Sequence, residues 1–349
     1  MKGFLVTPIV AFLIKSSMLQ GEFFSECFET FECQKVGLSL SVEYLYWKIQ
    51  EDQLYPAILT TQSSENGLKT SDLTLKNQKF EYTSGFRAAI GYDFPDESSV
   101  IKCAWTRIRP STTADYSTSD PKGLIAISFF DQTNSDVPHA ESIVSQWNLN
   151  YDMIDLELGS KHITSNCFYF CPKIGLKGGW INQTQTLQVN NIPLGQPATE
   201  IVQGTVKRRN DFSGIGPSVG VDLRFAFGPQ FGIFSTVNGA LLYGKFDLKT
   251  ETFLADTVDG NGMSTGPQNT TLNNSNHFFS PTVQCVIGGD WIWCLCQNYW
   301  VRFGAAYEVQ FWWNQMRSNN SITQAIFVNS PAGGDLMMHG LTLQASLEF

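Results

Sequence analysis

Charge is scarce in this 349-residue chain: Asp, Glu, Lys and Arg together make up 16% of it, against roughly 25% in soluble globular proteins. Histidine is scarcer, at 4 residues, and Cys167 with His162 is the nearest approach to a zinc spacing. No metal and no cofactor are therefore expected. Long apolar runs are missing as well. No stretch approaches the roughly 20 apolar residues of a spanning helix, and mean hydropathy is −0.11, which excludes a helical membrane bundle. Positive charge is in deficit, with a net charge of −9, which argues against nucleic acid as a partner. Gly214-x-Gly216 followed by Gly220 opens an alternating segment instead of a helix, so it is no dinucleotide fingerprint. Glycines there are expected to relieve crowding or permit a bend. His139, His162, His277 and His339 fall in loops or near strand ends, and His277 with Ser275 or Ser280 lacks a third group to orient it. A Ser–His nucleophile needs that group, so no catalytic residue is assigned and the chain is read as a non-enzyme.

Apolar and aromatic residues are plentiful, at 42% and 13% with 26 Phe, enough for a core and against disorder. They recur with period two. Val301, Phe303, Ala305, Tyr307, Val309, Phe311 and Trp313 share one face, opposite Arg302, Gly304, Ala306, Glu308, Gln310 and Asn314. Residues 80–92 and 218–227 repeat the pattern, and weaker versions lie at about 36–49, 98–109, 142–158, 168–182, 230–248, 279–293 and 338–349. Strict alternation is a strand with one apolar and one polar side. Many runs reach the 9–11 residues with which a tilted strand crosses a bilayer. Aromatics gather near the strand ends, as interfacial girdles do: Tyr44, Tyr46 and Trp47, then Trp291 and Trp293, then Phe311 and Trp313.

The connections alternate in length. Segments 50–78, 110–139, 183–209, 249–277 and 315–336 are long, whereas 93–97, 159–166, 228–229 and 294–298 are short. Short periplasmic turns and long extracellular loops are the asymmetry of outer-membrane barrels. The expected fold is thus all-β, a transmembrane antiparallel up-and-down barrel in a bacterial outer membrane. Ten strands are visible. β-like runs at Leu124–Phe130, Thr186–Asn190, Ile201–Lys207 and Ile322–Val328 extend the range to 10–16, with about 12 favoured. Lys2, the apolar run Phe4–Ile14 and the small residues that follow read as a signal peptide over 1–21. A periplasmic segment, 22–35, precedes a barrel over 36–349.

Several stretches carry a resemblance. "LSLSVEYLYWK" forms the first strand, D-x-E-L-G spans Asp155–Gly159, P-x-x-G-L-K-x-x-W-I spans Pro172–Ile181, and F-x-G-I-G-P spans Phe212–Pro217. In order and spacing the set resembles the major outer membrane protein-like family of Legionella and environmental chlamydiae, from about residue 38 to Phe349. An apolar strand face ending on a C-terminal Phe resembles the assembly signal of such barrels. The resemblance implies a pore-forming porin.

Six of the eight cysteines, Cys27, Cys33, Cys167, Cys171, Cys294 and Cys296, fall on the expected periplasmic side. Disulfides that lock the N-terminal segment to the turns, or link envelope proteins, are one reading. Reduced small residues and metal ligands are the others. Cys103 and Cys285 lie on apolar strand faces. Alternation turns Glu43, Glu81, Arg87, Lys102, Lys173, Lys177, Asp222, Arg224, Asn238, Arg302, Glu308 and Gln310 inward, where a pore would be lined. Six basic and four acidic groups there give a slight lean toward anions. The leading expectation is passive diffusion of small hydrophilic solutes or ions, with outer-membrane lipid as partner and homo-oligomerisation left open. The rival is a structural or adhesive barrel whose lumen is filled by complementary pairs.

Overall fold

Residues with the strictest alternation form the longest antiparallel ladders. A computed structural model describes residues 37–52, 54, 56–65, 68–94, 99–117, 124–125, 139–165, 167–194, 200–228, 230–255, 266–296, 299–317 and 333–349. The signal segment, Cys27, Cys33 and the run Ile322–Val328 lie outside the described residues. In chain order the strands are β1 (Gly37–Glu51), β2 (Ala57–Glu65), β3 (Leu68–Lys76), β4 (Tyr82–Asp93), β5 (Ser99–Ile108), β6 (Ser111–Ser117), β7 (Leu124–Ile125) and β8 (His139–Ala140). They continue as β9 (Ser142–Ser160), β10 (His162–Ser165), β11 (Phe168–Leu194), β12 (Glu200–Ala226), β13 (Phe231–Leu254), β14 (Gln268–Cys296), β15 (Tyr299–Arg317) and β16 (Gly333–Glu348).

Ten of these close a ring in the order β1-β4-β5-β9-β11-β12-β13-β14-β15-β16, with β16 back on β1. The closing register runs from Ser39 opposite Glu348 to Glu51 opposite Leu336. Leu38 and Phe349 exchange backbone hydrogen bonds of 2.8 and 3.0 Å, so the C-terminal aromatic completes the wall. Closure leaves no free sheet edge around the membrane-level wall, the condition for strands to sit in lipid. β6 pairs with β9 beyond β5, β10 pairs with β11, and β3-β2-β7-β8 make a separate small sheet.

The ring therefore has ten strands, not twelve. The runs 186–190 and 201–207 lengthen β11 and β12, pairing from Thr186 with Lys207 up to Leu194 with Glu200. Most of the expected long connections at 183–209 and 249–277 are likewise paired strand. Thr-, Gln- and Asn-rich sequence hides such ladders, because neither face is apolar.

Both termini of the ring and its short turns share one end, the periplasmic one. The outer wall is apolar and bare: Ile174, Ile215, Val219 and Ile287 are 62–64% exposed, a cost in water that lipid removes. Stacked Trp291–Trp293 and Phe231–Trp291 rim its periplasmic end, and stacked Tyr46–Tyr82 rims the other. Trp47 departs from the expected girdle. It follows the inward parity of Glu43 and Leu45, and it is fully buried in the lumen.

Candidate functional site

The inward faces of the ten strands divide the lumen into two layers. The extracellular layer is apolar. Leu45, Trp47 and Ile49 of β1, Trp147, Leu149 and Tyr151 of β9, Ile181, Phe212, Leu242 and Phe246 of β11–β13, and Trp312 and Met338 of β15 and β16 pack into one buried cluster. Eight strands enclose a space that side chains just fill. With ten, three tryptophans and two phenylalanines supply the extra volume.

The packing spans the whole diameter. Tyr151 on β9 and Trp312 on β15 stand on strands five places apart in the ring of ten by either route, yet their rings are 5.9 Å apart. The Tyr151 hydroxyl also donates to Gln310 Oε1 across the lumen at 3.1 Å. Gln183 on β11 donates to Glu51 on β1 at 3.1 Å, and Asn210 on β12 donates to the Gln315 carbonyl on β15 at 2.5 Å. Each bond joins strands that are not neighbours. At this level opposite walls touch through side chains.

The periplasmic layer is ionic and leaves a cavity of 240 Å³. At its top, Arg87 is a hub: Nη1 donates to Glu43 at 2.6 Å, Nη2 to Glu308 at 2.8 Å and Nε to Thr106 at 2.9 Å. Glu308 also accepts from Gln284, Gln310 and Thr342, so both its oxygens are engaged, as a buried carboxylate requires. Lower down, Lys173 bridges Glu157 at 2.9 Å and Asp222 at 3.0 Å, and Lys177 meets Asp155 at 2.6 Å. Asn238 donates to Glu157 at 2.7 Å. Arg224 grips Asp290 with Nε and Nη2 at 2.8 and 3.0 Å, while Arg302 reaches Glu348 at 3.2 Å. These are the charge-assisted, partly bidentate bonds that rank strongest.

Eleven of the twelve residues expected to face inward do so. Glu81 is the exception: it precedes the first paired residue of β4 and is exposed, because alternation continued past the end of the ladder. The six-to-four count behind the lean toward anions changes. Asp155, Glu157 and Asp290 line the same layer, so six bases meet six acids. Parity would have found Asp290, whose neighbour Trp291 faces lipid.

His277 and Ser280 lie on opposite faces of β14: the imidazole stacks outside on Tyr243, while Ser280 is buried and bonded to Gln315. His277 sits within β14, which extends past its expected end, and His339 within β16. Cys171 is a buried thiol, and Cys103 and Cys285 are thiols on the outer wall. Cys167 and Cys294 stand at the periplasmic end, and the side chain of Cys296 lies outside the described residues.

A closed ring of ten antiparallel strands, bare and apolar outside and rimmed by aromatics, defines an integral barrel of the bacterial outer membrane. More narrowly, the chain belongs to the family described as Legionella pneumophila major outer membrane protein precursor, whose profile matches residues 30–349. No curated protein matches it. Among solved structures it is similar to the outer membrane protease OmpT from Escherichia coli, at 11% identity and a TM-score of 0.37, covering 94% of this chain and 99% of that one. A Pseudomonas aeruginosa FadL homologue gives 9% and 0.31, over 94% and 93%. Ail, the attachment invasion locus protein of Yersinia pestis, gives 9% and 0.24, over 90% and 99%.

Proposed function

We propose that the protein is a structural surface barrel: a filled, stiff outer-membrane wall element that displays its extracellular segments and passes no solute in this conformation. The contact of Tyr151 with Trp312 across the full diameter carries this reading. The paired charges beneath it support the same conclusion, because lumen side chains that neutralise one another brace the walls. Disulfides among Cys27, Cys33, Cys167, Cys171, Cys294 and Cys296 would add to such stiffness in an oxidising periplasm, and their pairing is part of the proposal. The chain is proposed to have no enzymatic activity.

The alternative is the diffusion pore implied by the family resemblance. The 240 Å³ charged cavity favours it, as a vestibule for small hydrophilic solutes or ions below a displaceable apolar plug. Liposome swelling separates the two. Vesicles carrying the refolded protein should swell in isotonic arabinose no faster than protein-free vesicles. Swelling that scales with protein content and falls with sugar size would establish the pore instead.

A further inference from the structure

On β12 and β13 the lipid-facing wall ends at Ile215 and Tyr243, a directly opposed pair beside Phe279 of β14. The same outward face continues upward as a polar ladder. Lys245 lies opposite Ser213 and His277, Asp247 opposite Asp211, Lys249 opposite Arg209, and Glu251 opposite Lys207. Lys245 is held by Asp247 at 2.8 Å and Lys249 by Glu251 at 2.6 Å. Lys207 and Arg209 have no acid within ion-pair distance among the described residues, and Arg209 is exposed. Like charges directly opposite on paired strands are destabilising. Glu251, which holds Lys249, is the single acid among the described residues at this end of the ladder, where Lys207, Arg209 and Lys249 make three cations to one acid and favour an anion. The ladder holds four cations against three acids, in a chain whose net charge is −9.

We infer that this face of β12 and β13 docks a phosphate-bearing glycolipid headgroup of the surrounding outer leaflet. Phosphate matches the chemistry, since the Arg fork and Lys ammonium both bind it well. The lipid source follows from position, because the ladder is the direct continuation of the lipid-covered face. Height selects the headgroup. From Tyr243 to Lys249 the chain climbs about 20 Å along the strand, or about 15 Å along the membrane normal at a tilt near 40°. A phospholipid headgroup layer rises only about 5–8 Å above the hydrocarbon. It reaches Lys245 and stops short of Arg209 and Lys249, whereas a phosphorylated sugar headgroup spans both.

The test is co-sedimentation of the full-length refolded protein with purified lipopolysaccharide, at low salt. R209Q/K249Q is expected to raise the half-saturating concentration about tenfold, while K161Q at the periplasmic end leaves it unchanged. E251Q, which removes an acid from the ladder and disturbs no core packing, is expected to tighten binding severalfold. Phosphatidylglycerol vesicles should bind wild type and R209Q/K249Q equally. Equal lipopolysaccharide binding by wild type and R209Q/K249Q, or weaker binding by E251Q, would overturn the inference. So would full competition by millimolar inorganic phosphate, which would point to a free-phosphate site. Should R209Q/K249Q fail to fold, the E251Q result decides.

Discussion

Replacing Arg87 by Met removes the cation that serves two buried carboxylates at the junction of the lumen layers. Glu43 is 5% and Glu308 1% exposed, and Arg87 reaches them at 2.6 and 2.8 Å. Breaking a buried ion pair from one side costs about 3–5 kcal/mol, because the remaining charge stays desolvated. Glu308 keeps its bonds from Gln284, Gln310 and Thr342, so most of the loss falls on Glu43. R87M is expected to lose about 4 kcal/mol, and R87M/E43Q to recover at least half of that. The assay is equilibrium urea unfolding in phosphatidylcholine vesicles, followed by the fluorescence of the 9 tryptophans and by heat-modifiable gel mobility. A loss below about 1 kcal/mol, as exposed pairs show, would refute the reasoning. Water would then reach the hub, and the lumen would not be sealed above it.

Arg208 lies inward on β12, above the plug, with Nε and Nη2 buried and unbonded. Burial pushes its guanidinium down to about 10, still charged at neutral pH, so R208M should stabilise the barrel by about 1–2 kcal/mol in the same urea titration. Glu51 is buried at the extracellular end of β1 with Oε1 unpaired, and burial, aided by Asp52 and Asp335, holds its carboxyl well above the usual 4.5. A raised folded-state value means that stability is full below 4.5 and falls as pH rises through the folded value. E51Q should therefore be more stable than wild type at pH 7 and indistinguishable from it at pH 4. Gly216 is buried where a β-carbon would collide with the Leu241 carbonyl and the Leu242 backbone. G216V should abolish heat-modifiable folding, while a valine at the open Gly239 position leaves it intact.

The wall was legible in sequence because period two is a binary code: alternate residues from Val301 to Trp313 face lipid whatever the rest of the fold does. The interior was less so. Parity turns Trp47 and Trp147 inward as surely as Glu43, but it does not say whether inward side chains touch across the ring. That depends on strand number and on residues far apart in the chain, such as Tyr151 and Trp312. Strand length was hidden for a different reason. Above the bilayer, β11 to β14 need no apolar face, so Thr270–Ser275 reads as loop and Thr186–Asn190 as a separate short β-like run, while their backbones pair residue by residue as extensions of the wall strands. Glycine told more than expected: Gly214 and Gly244 face each other with the Phe212 ring laid over both, which accounts for glycine in the F-x-G-I-G-P segment.

Whether the lumen is closed can be read from current across a single planar bilayer. Refolded wild-type protein, confirmed as a barrel by heat-modifiable mobility, should give no stepwise current in 1 M KCl (about 3 Å Debye length). W312A/Y151A/W47A, which removes the side chains that meet across the apolar layer, should give ohmic steps. Ohmic single-channel steps from the wild type, with the same amplitude in W312A/Y151A/W47A, would contradict the filled barrel and establish a pore.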